Sequence, residues 1–184
     1  MAAEPMIFIF TGTSGSGRKT IAKQIGSELG LYHVLSCTTR VPRATEGQDR
    51  DYHYISHDEF VELERSGQLL QSTTIGKERY GIRHQELDRA LANGKHAYLI
   101  LNSEGASLFK NLFKDRVIRI FIYVDKQTVR ERLERKGTPY DVVDRYLDQY
   151  TEEVVYRKQC EHTIENVELI RTLEQIRTAI NSHL

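Results

Sequence analysis

Apolar positions along the chain fall into two periodicities. Met6 to Phe10 (MIFIF), Ala97 to Leu101 (AYLIL) and Val117 to Val124 (VIRIFIYV) are short and nearly continuous apolar runs. Runs of that length, with β-branched and aromatic residues, predict strands buried on both faces. Between them the spacing changes to three and four. Ile21, Ile25 and Leu29 predict a helix that stops at Gly30. Further helices are predicted near Ser103–Phe113 and Lys126–Lys136, and over Val167–Ile180, where Leu169, Ile170, Leu173, Ile176 and Ile180 share one face. Strands alternating with helices imply an α/β fold, a parallel sheet core flanked by helices on both sides.

Between residues 36 and 93 the texture turns polar. DYHYIS alternates like a half-exposed strand. Ser56 and Glu59 in SHDEF form a capping box that opens a short helix. QLLQSTTIGKERYGI predicts a hairpin with Gly76 in its turn. This stretch is expected to be an inserted mixed α/β lobe on a core of residues 1–35 and 94–184. A second irregular piece, RKGTPYDVVDRYLDQY, predicts a joint at Gly137 and a new helix, with Thr138 as N-cap, Pro139 first and Asp141 third. Residues 132–150 are expected to act as a helical lid.

Composition alters little. Formal net charge is zero and 39% of residues are hydrophobic, as in ordinary globular chains, so overall charge supports no specific nucleic-acid binding. No apolar run approaches the roughly 18 residues of a membrane span, no leader segment is evident, and Cys37 and Cys160 have no metal-ligand spacing. A cytoplasmic protein with reduced thiols and no membrane partner is expected. The seven histidines show no metal pattern.

The candidate chemistry begins where the first strand ends. GTSGSGRKT, residues 12–20, lies between a predicted strand and a predicted helix. In that setting glycines let backbone N–H groups converge on a phosphate, and the helix N-terminus favours the anion. Gly12 and Gly17 have the phosphate-loop spacing, but Arg18 occupies the usual lysine position and Lys19 the usual hydroxyl position, with Thr20 following. Arg18 keeps the charge without the compact ammonium, and Lys19 cannot hold magnesium as a hydroxyl does. Phosphate binding by Gly12, Ser14, Gly15, Ser16, Gly17, Arg18, Lys19 and Thr20 is expected. In SCTTRVPRATEGQDRDYHYIS, Arg40 and Arg43 flank Pro42, whose bias toward extended geometry lets two guanidiniums converge on a second anion. Glu46 is placed to orient an arginine, and Tyr52 and Tyr80 to donate hydroxyls.

The motifs GTSGSGRKT, SCTTRVPR, EGQDRDYHYIS, RYGI and RKGT stand in an order and spacing that resembles guanylate kinases over nearly the whole chain. The resemblance implies a P-loop nucleoside monophosphate kinase fold and phosphoryl transfer from ATP, with Mg²⁺, to GMP or dGMP. It also implies site roles. Ser36, Arg40, Arg43, Tyr52 and Tyr80 resemble the grip on the GMP phosphate, with Glu46 as supporting acid and Gly81 following. Asn166 resembles the asparagine near adenine. Arg132 and Arg145 resemble the arginines that approach the moving phosphoryl group, although the lid is one residue shorter than in the family.

Departures from the pattern bear on function. Gln71, Ile82 and Asn102 stand where the family has glutamate, a hydroxyl residue and aspartate at the guanine, so base selectivity should change. Ile100 replaces an aspartate on the strand, leaving the metal ligands unidentified; Glu104 is a candidate substitute, or a surface residue at a helix start. Three functions are therefore carried forward: a guanylate-kinase-like enzyme, a kinase for another nucleoside monophosphate, and a non-catalytic module binding GMP or phosphopeptides. The last resembles the guanylate-kinase-like part of membrane-associated scaffolds.

Overall fold

The computed structural model describes residues 4–184. The alternation anticipated along the chain is present. β1 (Ile7–Gly12) leads through a glycine turn into α1 (Arg18–Glu28) and a short β2 (Tyr32–His33). The inserted lobe holds β3 (Cys37–Thr38), β4 (His53–Tyr54), α2 (His57–Arg65), β5 (Leu69–Ile75) and β6 (Glu78–Arg83). After α3 (His84–Ala92) come β7 (Ala97–Ile100), α4 (Ser103–Phe113), β8 (Val117–Tyr123), α5 (Lys126–Arg135), α6 (Tyr140–Val154), β9 (His162–Glu165) and α7 (Leu169–Asn181).

Five strands form a parallel sheet in the order β2-β7-β1-β8-β9. The apolar runs are buried on both faces, as their continuity requires. From β1, Ile7 and Ile9 pack with Leu99, Phe121, Phe109 and Leu87 on one side. Phe8 and Phe10 pack with Ile21, Ile25, Ile120, Ile164 and Ile176 on the other. Both carboxyl ends that flank the first crossover therefore open toward the glycine turn, the usual ligand end of such a sheet.

The lobe is a separate four-stranded sheet, β4-β3-β6-β5, with β5 and β6 joined by the expected hairpin. Ser56 Oγ accepts from Glu59 N and the Glu59 carboxylate accepts from Ser56 N, both at 3.1 Å, completing the capping box. A third cluster, Val124, Val129, Val143 and Leu147, fixes α5 against α6.

Several local expectations need correction. DYHYIS forms a strand of only two residues, His53–Tyr54, with Tyr52 in an isolated bridge to Gln48, because the chain before it is consumed in a turn around Gly47 and Asp51. α6 begins one residue later than expected: Pro139 is extended (φ −56°, ψ 144°) and its carbonyl accepts from Val142 and Val143, so proline, not Thr138, is the N-cap and Asp141 is the second helical residue. In α7 the buried side is Leu173, Ile176 and Ile180, whereas Leu169 and Ile170 are exposed.

Candidate functional site

The glycine turn is dictated by crowding. Gly12 ends β1 at φ 142°, and a Cβ there would collide with the Ile122 backbone of β8. Gly17 caps α1 in the left-handed region (φ 83°), where a Cβ would press on Asn166 Nδ2 at 2.9 Å. Asn166 is buried and its Nδ2 donates to the Ser16 carbonyl at 2.8 Å, so the residue expected near adenine also braces the loop from beneath. The hydroxyls of Thr11, Thr13 and Ser16 are buried here without partners, unusual for buried polar atoms and suited to a polar ligand.

Neither cation of the turn projects freely into the loop. Arg18 Nη1 donates to the Gly12 carbonyl at 2.9 Å, folding the guanidinium back along the turn. Desolvation lowers its pKa, opposed by the Glu153 charge. Lys19 reaches instead across to the lobe, 2.9 Å from Glu46 Oε2 and 3.4 Å from Asp51 Oδ1. Burial opposes its charge, but those two carboxylates outweigh burial and raise its pKa.

That reach joins the turn to the arginine–tyrosine cluster of the lobe. Arg40 makes a bidentate pair with Glu46, at 2.8 and 2.9 Å, and Arg43 N donates to the same carboxylate at 2.9 Å. The Arg40 bonds, with Lys19 and Arg43 assisting, hold the Glu46 carboxyl well below the usual range despite its burial. The Tyr52 ring lies 5.4 Å from the Arg40 guanidinium carbon and 5.5 Å from Lys19 Nζ, and packs edge-on against Tyr80. The Arg43 side chain is exposed, so contacts bring Arg40 but not Arg43 into this cluster. Ser36, Lys23, His33 and Ile100 complete the wall of a small cavity beside Lys19, Asp51 and Tyr52.

Three residues of the site carried no signal in the sequence reading. Asp51 is buried and takes Lys23, Arg50 and the Gly47 N–H; although burial acts the other way, these partners depress its pKa strongly. Its place inside EGQDRDYHYIS was visible, its pairing with α1 was not. Lys23 stands one helical turn beyond Lys19, a spacing that could have revealed a two-lysine face. Glu153, in the last turn of α6, has its carboxylate in the glycine turn itself. Ser14 N donates to Oε2 at 3.0 Å, and Ser14 Oγ donates to the two oxygens at 3.1 and 3.3 Å. Burial raises its pKa, with Ser14 and Arg18 opposing. Together with Gly12, Arg18, Asn102 and Gln149, it lines a cleft of about 310 Å³.

The remaining expected residues are dispersed. Gln71 and Gly81 are buried and Ile82 is fully so, on the paired strands β5 and β6. Asn102 is the N-cap of α4, its Oδ1 accepting from Gly105 N at 3.0 Å. Arg132 lies near the loop brace, its Nη2 3.4 Å from the Asn166 carbonyl. Arg145 is solvent-exposed, 3.8 Å from Asp141, and does not reach the turn. Thr20 is exposed, and Glu104 is a surface residue that accepts from Thr73 Oγ1 at 3.2 Å.

The donor set does not fit a magnesium ion held by protein ligands. Lys19 replaces a hydroxyl, Ile100 is apolar, and among the described residues no group of three or more His, Cys, Asp or Glu is arranged for a metal. Magnesium accompanying ATP would rest on phosphate oxygens and water. Cys37 and Cys160 are free thiols, and among the described residues no helix is long and apolar enough to cross a membrane.

A parallel sheet with this strand order, a glycine turn at the end of its central strand and an inserted four-stranded lobe define a P-loop nucleoside monophosphate kinase fold. The crystal structure of guanylate kinase from Anaplasma phagocytophilum superposes with a TM-score of 0.79 at 22% identity, covering 98% of this chain and 86% of that one. The sequence profile described as guanylate kinase matches residues 4–183. The guanylate kinase of Francisella tularensis subsp. holarctica (strain OSU18) is 31% identical over 176 residues, covering 92% of this chain and 93% of its own. That of Porphyromonas gingivalis (strain ATCC BAA-308 / W83) is 27% identical over 179 residues, 95% of each chain. The chain belongs to the guanylate kinase family.

Proposed function

We propose that this protein transfers the γ-phosphoryl group of ATP to the phosphate of a nucleoside monophosphate, the acceptor of its relatives being GMP. The observation that carries this reading is the continuous link from the glycine turn, through Lys19 and Glu46, to Arg40, Tyr52 and Tyr80. On this reading the loop N–H groups and the arginine–tyrosine set are the two phosphate-holding walls of one cleft, which is what an in-line transfer requires. The loop N–H groups and Arg18 hold the donor phosphates. Lys19, Arg40 and Tyr80 hold the acceptor, with Ser36, Tyr52 and Arg43 contributing as the lobe closes. An acceptor phosphate oxygen forms the new P–O bond while the bond to the ADP oxygen breaks. A dianionic acceptor needs no general base. Arg132 and Arg145 reach the moving group only with a shift of α5 and α6, so lid closure is part of the reading.

The test is ADP release, coupled to a spectroscopic readout, with ATP and Mg²⁺ and each nucleoside monophosphate in turn. Turnover with at least one acceptor, lost in Arg40→Ala, supports the reading; no turnover with any acceptor refutes it. A second reading, a module that binds GMP or phosphopeptides without turnover, is favoured by Glu153 in the phosphate turn and by Ile100. It predicts binding that Arg40→Ala abolishes and no release of ADP.

A further inference from the structure

Two of the seven histidines meet nitrogen to nitrogen. His162 opens β9, and His183 follows the end of α7, 21 positions later. Their Nε2 atoms lie 2.8 Å apart, with the ring planes at 75° and the ring centroids separated by 5.2 Å. That sequence spacing matches no ligand motif, so the pair is made by the fold alone. β9 is held by β8, where His162 stands opposite Ile120. α7 is held by Leu173, Ile176 and Ile180, which pack in one cluster with Ile164 of β9. His183 N donates to the Ile180 carbonyl at 2.9 Å and closes the last turn. Both imidazoles are therefore presented from fixed backbone, and both residues keep part of their surface in solvent.

Other histidines face groups that suit them. His53 faces Asp49 and Glu86, His57 faces Glu78, and His96 Nδ1 accepts from Met6 N. His162 and His183 face each other, and among the described residues neither ring makes another hydrogen bond. A neutral imidazole has one donor and one acceptor nitrogen. Left to itself the pair shares one N–H between two nitrogens, and full protonation would set two cations in contact. Burial, then the neighbouring His183, lowers the His162 pKa against the opposing charge of Glu161. The neutral form thus favoured is the one a metal ion requires. Parting by about 0.5 Å would bring the two nitrogens to the roughly 3.3 Å that separates two ligands on a tetrahedral zinc ion. Among the described residues no third His, Cys, Asp or Glu joins them, so water would fill the remaining positions. Imidazole ligands suit zinc, nickel and copper, whereas magnesium and calcium take oxygen.

We propose that His162 and His183 form a two-imidazole site for a divalent ion of the zinc, nickel and copper class, with water completing its coordination. The bound ion ties the end of α7 to β9. β9 is an edge strand of the core sheet, paired only with β8, so the tie holds an element that one neighbouring strand supports. His162 stands at the amino end of β9, whereas the glycine turn lies at the carboxyl end of β1 in the same parallel sheet. The site is therefore separate from the cleft, and the proposal is independent of the kinase reading.

Calorimetric titration of the full chain, free of metal and nucleotide, with zinc chloride tests the site. One ion per chain should bind. His162→Ala and His183→Ala should each weaken it by about tenfold or more, a loss at least as large as removing a hydrogen-bond partner of a metal ligand causes. His84→Ala, at an exposed histidine on α3, should bind as the wild type does. Saturating Zn²⁺ should raise the Tm of the wild type and of His84→Ala but of neither pair variant, and Mg²⁺ should raise none. His183 lies beyond the buried side of α7, so a circular dichroism spectrum of His183→Ala like that of the wild type separates lost ligation from lost folding. No binding at millimolar Zn²⁺ would overturn the proposal. So would binding that survives both substitutions, or that only one of them weakens. The pair would then be a hydrogen bond that fastens the helix and nothing more.

Discussion

If the glycine turn holds the triphosphate as proposed, the Glu153 carboxylate competes with it there. It takes the Ser14 N–H and hydroxyl at 3.0 to 3.3 Å, donors that a phosphate oxygen would otherwise use. Each charge-assisted bond is worth about 1.5–3 kcal/mol in net terms, but desolvation of the carboxylate, evident in its raised pKa, offsets much of that gain. A remaining competition of about 1–2 kcal/mol corresponds to roughly 5- to 30-fold in affinity. Glu153→Ala should therefore bind ATP about 5- to 30-fold more tightly in an equilibrium titration. Glu153→Gln should gain less, because its amide oxygen still accepts from Ser14. The gain has a direction in pH. Above the raised pKa the carboxylate is charged and competes; as pH falls through it the wild type loses that charge and approaches the Gln variant. Unchanged or weaker ATP binding by both variants would refute the argument and make Glu153 a contributor to the triphosphate site.

Lys19→Met should raise KM for the monophosphate by about tenfold, the loss of one charge-assisted contact, with KM for ATP little changed; steady-state kinetics with each substrate varied separates the two sides. Burial beside Tyr98 lowers the pKa of His33 from 6.5 to about 4, so the folded state resists a proton that the unfolded chain accepts. Stability is then full above pH 6.5 and falls toward pH 4. Between pH 7 and pH 5 the wild type should lose about 2 kcal/mol more than His33→Phe in denaturant titrations. Arg119, buried on β8, depends on Glu161 and Tyr156. Because the Glu161 side chain is 23% exposed, Glu161→Ala should cost somewhat less than a fully buried pair, about 2–4 kcal/mol, seen as a drop in Tm of roughly 5–15 °C by calorimetry.

What the sequence disclosed divides along the range of the interactions involved. The core strands were legible because their signal is local: Ile7 to Phe10 has no polar position, and only a strand covered on both faces explains that. β2 and β9 were not, because two residues at Tyr32–His33 and four at His162–Glu165 become strands only through pairing with β7 and β8. The same division runs through the site. Gly12 and Gly17 follow from backbone crowding that a short motif encodes. The destination of Lys19 does not, since it is decided by Glu46 and Asp51 some thirty residues away. A lysine in the hydroxyl position looks, within the motif, like damage to a metal site. Set against two buried carboxylates, it is a cation turned from the glycine turn toward the lobe. The loop's positive charge is thus redistributed rather than lost. Arg18 stays with the turn, Lys19 pairs with the lobe, and the carboxylate of Glu153 occupies the Ser14 donors. On the proposed reading a triphosphate has to displace this internal anion, so donor binding should be coupled to a shift of the last turn of α6.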